Sequence, residues 1–251
     1  MGSGLHVAIP SLPGTLDTMG RGGRLGKERL GASLERRAVS RNRRGGVLIA
    51  CNRQVGLYLA GLLDFLQLEE EVTLSLCATE DSHLIVENGL RACATGGPFQ
   101  RFYAVICCDN REEVLHHAMT PPDLCTVGFD VAFRWITTVP SFNLWLLLHW
   151  QDLPLDPWTD YDHLSRCINE QLHRHLPPTA AHDALSLFAA MGPGLTEAIR
   201  RGQRLSRIQA MLNRGQTGNT IPPGTILPTT DVHELVSYLL KLHEKSQRLR
   251  N

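Results

Sequence analysis

The feature that most constrains the fold is an alternation of short apolar runs with helix-periodic segments. "VLIAC" at residues 47–51, "VTLSLC" at 72–77 and "FYAVICC" at 102–108 are five to seven residues long and continuously apolar or nearly so. Runs of that length, bounded by polar or turn residues, predict strands buried on both faces. Between the first two, Val55, Tyr58, Leu59, Leu62 and Leu66 recur at helical spacing behind Asn52, a residue suited to an N-cap. Between the next two, residues 81–95 predict a helix with Leu84, Ile85, Asn88 and Ala92 on one side, stopped by Gly96-Gly97-Pro98. Strand, helix, strand, helix, strand predicts an α/β fold with a mostly parallel sheet of about four strands and flanking helices.

The remaining segments extend that frame. Residues 110–118 predict a short helix capped by Asp109 or Asn110, and 125–139, rich in Val, Thr and aromatics, a fourth strand or a hairpin. Beyond Pro140 the periodicity turns helical, at 142–150, 161–176, 180–191, 196–213 and 231–248, with "TGNTIPPGTILP" as a loop. The last helix has the clearest stripe, Val232, Leu235, Val236, Leu239 and Leu242, and Asp231 with Glu234 has capping-box spacing. The expected organisation is a disordered basic arm at 1–45, a sheet domain at 46–140 and a helical region at 141–251 packed on it.

Charge enters the argument through that arm. The whole chain is neutral, but residues 1–46 hold nine Arg and Lys against three acids, leaving 16 basic and 22 acidic residues in the rest. Arg36, Arg37, Arg41, Arg43 and Arg44 suit a nucleic acid, an acidic partner or a nuclear address. The seven cysteines are odd in number and without C-x-x-C spacing, which predicts reduced thiols in an intracellular, cytoplasmic or nuclear compartment. Residues 1–19 lack the pattern of a secretory signal, and the most apolar segment, 142–150, is too short to span a bilayer.

The strand ends are where such sheets do chemistry. "CNRQVG" lacks the glycines and lysine of a phosphate loop, and "GRGGRLG" follows no strand, so neither a Walker nor a dinucleotide fingerprint is present. Cys51 stands at a strand-to-helix corner near Arg53, the setting of an activated thiolate. A tyrosine-phosphatase motif would need an arginine six residues later, where Leu57 stands. No G-x-S-x-G or H-E-x-x-H occurs. His163 and Cys167, four apart on one helix, have the spacing of half a metal site, with exposed polar side chains as the bland alternative.

Three strands with Asp109 after the third resemble the receiver domain of response regulators over residues 47–139. In that family the aspartate accepts phosphate beside a metal held by acids after the first strand. Cys51-Asn52 stand at that place here, so the resemblance implies an interaction domain that takes no phosphate. A helix N-cap accounts for Asp109 equally well.

Surfaces are the remaining source of function. Arg200, Arg204 and Arg207 align at i, i+4 and i+7 on one helix, a docking face for nucleic acid or an acidic protein. Trp145, Trp150 and Trp158 belong to a tryptophan-rich stretch whose default is core packing, and any left on the surface would anchor a partner. The leading expectation is a non-catalytic regulatory or adaptor protein that binds a protein partner and needs no cofactor. The alternatives are an enzyme or small-ligand binder at the strand carboxyl ends, using Cys51 or Asp109, and a nucleic-acid binder using the arm and the basic helix.

Overall fold

The computed structural model describes residues 46–96, 99–108, 131–153, 161–176, 183–213 and 227–250. The basic arm, Asp109, His116, His117, Cys125 and Trp158 lie outside them.

Strand β1 (Gly46–Asn52) is the centre of the fold, and all seven of its residues are buried. Its alternate side chains enter two cores: Val47, Ile49 and Cys51 one face, Leu48 and Ala50 the other. Helix α1 (Arg53–Phe65) follows without a break, because the Asn52 side chain accepts a hydrogen bond from the Val55 amide at 3.0 Å. Its end is set by hydrogen bonds from the Leu68 amide to the Leu63 carbonyl and from the Gln67 amide to that of Asp64. This is the Schellman pattern, with Gln67 at φ 53° in the left-handed position that glycine usually fills. The sequence carries no glycine there to announce the stop.

Strand β2 (Val72–Cys77) pairs parallel with one edge of β1, Val47 opposite Val72 and Cys51 opposite Leu76. Helix α2 (Ser82–Gly96) begins where Asp81 accepts hydrogen bonds from the His83 and Leu84 amides, and strand β3 (Phe99–Cys107) then pairs with the other edge of β1. α1 packs on one face of the sheet and α2 on the other. The crossover from β1 to β2 and the crossover from β2 to β3 run in opposite directions along the sheet, and crossovers of one hand then require that placement. Strand β4 (Ala132–Val139) extends the parallel sheet beyond β3, so the fourth strand is present over residues 132–139.

The chain after Pro140 covers the α1 face with helices α3 (Phe142–Leu147), α4 (Tyr161–His175), α5 (Ala184–Met191), α6 (Leu195–Asn213) and α7 (Val232–Arg250). Leu164, Ile168 and Leu172 of α4, and Val232, Leu235, Val236 and Leu239 of α7, join the core that holds Val47, Ile49 and Tyr103. Two residues between the expected loop and the last helix supply a fifth strand, β5 (Thr229–Thr230), antiparallel to β4, with Thr230 opposite Thr138. The sheet order is β2-β1-β3-β4-β5. The region after residue 140 therefore shares both core and sheet with the region before it.

The capping-box spacing of Asp231 and Glu234 is put to another use. The Thr230 hydroxyl accepts from the Val232 amide, Asp231 accepts from the Thr137 hydroxyl, and Glu234 pairs with Arg134. Both acids tie α7 sideways to β4, because β5 places the start of the helix against that strand. Among the described residues no helix is long and apolar enough to cross a membrane.

Candidate functional site

All four parallel strands end on the same side of the sheet, and α1, α2 and α3 begin there. From β1 the chain goes first to β2 on one side and then to β3 on the other. The edge of the sheet outside the ends of β1 and β3 is therefore the topological switch point, the place where open α/β sheets receive ligands. Asn52, Arg53 and Gln54 stand at this corner.

Asn52 is 6% exposed and fully engaged. Its oxygen caps α1, and its Nδ2 donates to Glu80 Oε1 at 3.3 Å, fixing the connection between β2 and α2. Arg53 is exposed, in the first turn of α1, and makes no ion pair with a described residue. That first turn holds no acidic residue. A cation beside the positive end of a helix is unfavourable by about 0.3–1 kcal/mol, whereas an anion there is stabilised by both.

Gln54 is joined to a second helix. Its Nε2 donates to Asn143 Oδ1 at 2.6 Å, and Asn143 Nδ2 donates to Asn169 Oδ1 at 2.7 Å. Asn143 lies on α3, which follows β4, while Gln54 lies on α1, which follows β1. The bond therefore joins the helix that follows β1 to the helix that follows β4, two strands away in the sheet. Sequence reasoning missed these carboxamides. The bonded partners are 89 and 26 positions apart, and a lone Gln or Asn carries no motif.

The residues singled out from the sequence are distributed differently. Cys51 is wholly buried in the core on the α1 face. Burial, with a smaller contribution from Cys77, pushes its thiol far above the usual range, the opposite of what an activated nucleophile requires. Asp109 lies outside the described residues. Trp145 is fully buried, edge-on to Tyr58 at 6.3 Å, so it is a core residue and not a surface anchor. Trp150 is half-buried and stacks on His175 with ring centroids 5.3 Å apart.

On α6, Arg200 is held by Glu197 at 2.7 Å and Arg204 lies 3.6 Å from Asp152, while Arg207 is exposed. Between them sits Arg201, which the charge pattern did not single out. Its Nη1 donates to the Leu148 carbonyl at 2.6 Å and closes the end of α3. The basic face is thus partly spent on internal contacts. His163 Nε2 and Cys167 Sγ are 3.7 Å apart on α4, and among the described residues no third His, Cys, Asp or Glu joins them in a metal-binding group.

Among protein families, the model described as RloB-like protein matches residues 66–239, more than two thirds of the chain. The span runs from the end of α1 into α7 and includes Asn143 and Asn169 but not Asn52, Arg53 or Gln54. No curated protein matches the chain, and no solved structure does.

Proposed function

The chain belongs to the family of RloB-like proteins, and with that as premise we propose that it binds a phosphate-bearing ligand at the carboxyl edge of the sheet, outside the ends of β1 and β3. The observation that carries this reading is Arg53, exposed and free of an acidic neighbour in the first turn of α1, at the topological switch point. The helix dipole, the first-turn amides that Asn52 leaves open and the guanidinium act together on an anion placed there. Cys51 serves the fold and not the chemistry, since its thiol faces the core. The reduced thiols of Cys51, Cys77, Cys93 and Cys167 support an intracellular, reducing location.

The test is titration calorimetry of the full chain with inorganic phosphate, adenosine monophosphate and a single-stranded oligonucleotide. Saturable binding that Arg53→Ala weakens about tenfold or more is expected, the usual scale for a hydrogen bond to a charged group. Binding untouched by both Arg53→Ala and Arg53→Glu would overturn the reading. If the oligonucleotide binds best, its affinity should fall steeply with salt.

A second reading, docking of a protein partner, rests on a different surface. Phe65 at the end of α1 is 65% exposed beside Phe188, and Leu185 of the same α5 helix is 52% exposed. Two large apolar side chains held open on packed helices suit a regulatory or adaptor role. A partner that co-purifies with the full chain and is lost on Phe65→Ser, with phosphate binding intact, would support it. Retention of every partner on Phe65→Ser and Leu185→Ser would overturn it.

A further inference from the structure

Among the described residues the sheet has two edges, and they are built differently. One is β5, two residues long and buried. The other is β2, six residues with no charge, no proline and no bulge in its register with β1. Natural sheets guard such an edge with lysines, prolines, bulges or very short strands, and β2 carries none of these.

The hydrogen-bond pattern says which groups of β2 point outward. The Glu71 carbonyl accepts from the Val47 amide, and successive residues of a strand turn their backbone groups to opposite sides. Thr73 and Ser75 therefore face β1, while Val72, Leu74 and Leu76 face away from it. Of these outward groups, the Val72 amide is taken by the Leu68 carbonyl, and the Leu76 carbonyl by Asn88 Nδ2. The Val72 carbonyl, both groups of Leu74 and the Leu76 amide meet no partner among the described residues, although Val72 and Leu74 are only 4% and 9% exposed. Buried backbone groups left in that state are costly. The hydroxyls of Thr73 and Ser75, each 6% exposed, likewise make no hydrogen bond to a described residue.

We propose that β2 is the interface of a homodimer, in which β2 of a second copy pairs with it antiparallel about a two-fold axis at Leu74. The two copies of Leu74 then exchange both of their N–H···O bonds, and each Leu76 amide donates to the partner's Val72 carbonyl. Every group left open on one copy meets its complement on the other. The same register sets Thr73 beside the partner's Ser75, hydroxyl against hydroxyl. Glu70 falls opposite Ala78 and Glu80 opposite Leu68, so no two acids stand face to face. A foreign strand could offer the same backbone groups, but a second copy also stops where β2 stops, with Leu68 and Asn88 closing the ladder at both ends. The two sheets become one continuous sheet. This interface lies along the side of the sheet and does not rest on the phosphate reading.

Sedimentation equilibrium of the full chain at about 100 µM, a concentration that fills an interface of micromolar affinity, should give twice the monomer mass. Hydrogen exchange at the Leu74 and Leu76 amides should slow as the protein concentration rises. The double variant Thr73→Cys, Ser75→Cys should form a covalent dimer on mild oxidation, because positions 73 and 75 of the two copies make a non-hydrogen-bonded pair with Cα atoms about 4.5 Å apart. A monomer at that concentration would overturn the inference. So would a dimer whose Leu74 and Leu76 amides stay unprotected, or whose folded cysteine variant does not cross-link, since that dimer uses another surface.

Discussion

The carboxylate of Asp231 accepts a hydrogen bond from the Thr137 hydroxyl at 2.6 Å, across 94 positions of sequence. The backbone repeats the link, since the Asp231 amide donates to the Thr137 carbonyl at 2.8 Å. Together they hold the start of α7 against the last full strand of the sheet. Removing one partner of a half-buried charged hydrogen bond costs roughly 1.5–3 kcal/mol. Asp231→Ala should lower the denaturant midpoint accordingly, with Thr137→Val losing a similar amount. The double variant should lose less than the sum of the two, because each single change already breaks the same contact. Strict additivity would show that the pair is not coupled.

His149 gives the fold a dependence on acid. Its Nδ1 faces the carbonyls of Trp145 and Leu146 at 3.1 and 3.2 Å, and carbonyls only accept, so Nδ1 carries the proton. Nε2 then accepts from the Tyr58 hydroxyl at 3.3 Å. Burial is the main cause that moves the imidazole down from 6.5 to about 4, with Arg201 adding to it and the two carbonyls opposing. A histidine with a lowered folded value binds fewer protons folded than unfolded between those two pH values. Stability is therefore fully present above about pH 6.5 and is lost as pH falls towards 4, by about 3 kcal/mol in all. Urea unfolding at a series of pH values should show this slope, and His149→Phe should flatten it. A slope unchanged in that variant would assign the acid sensitivity to other groups.

The parts of the fold that were legible in the sequence are those with local causes. β1, α1, β2 and α2 could be placed because an apolar run and a capping Asn52 or Asp81 act within a few residues. β5 could not, because two threonines pair with Thr138 and Val139 only after α3 to α6 have brought the chain back. The same distinction applies to the acids at the start of α7, whose spacing suited a cap while their partners waited on β4. At the candidate site the corner itself was visible. The side chains joined across it were not, since Gln54, Asn143 and Asn169 meet only in the folded chain. Cys51 drew notice by its position in the chain, but strand alternation turns its side chain into the core.

Two glycines in "MGPG" should respond differently to the same change. A Cβ on Gly194 would stand 2.2 Å from the His149 carbonyl oxygen, a backbone atom that cannot step aside. On Gly192 the nearest atom is a ring carbon of Phe188 at 3.3 Å, which a small side-chain shift relieves. Gly194→Ala should cost about 1–3 kcal/mol, the usual range for overpacking, and Gly192→Ala clearly less. Thermal unfolding of the two variants compares them directly, and equal losses would contradict the close approach of α6 to the end of α3.

Thiol labelling separates the corner's chemistry from its packing. The thiolate is the reactive species, and burial keeps Cys51 in the thiol form and out of reach of reagents. Cys77 and Cys167 are half-buried and so closer to solvent. Under native conditions an alkylating reagent should modify Cys77 and Cys167 before Cys51, as read by peptide mass spectrometry over time. Cys51 should follow the rate of unfolding and respond to denaturant, because only opening of the core exposes it. Cys51→Ala should then leave phosphate binding unchanged while lowering the unfolding midpoint, since it removes a buried sulfur packed near Gly56. Fast native labelling of Cys51, or loss of ligand binding in Cys51→Ala with the fold intact, would return this thiol to the chemistry of the corner.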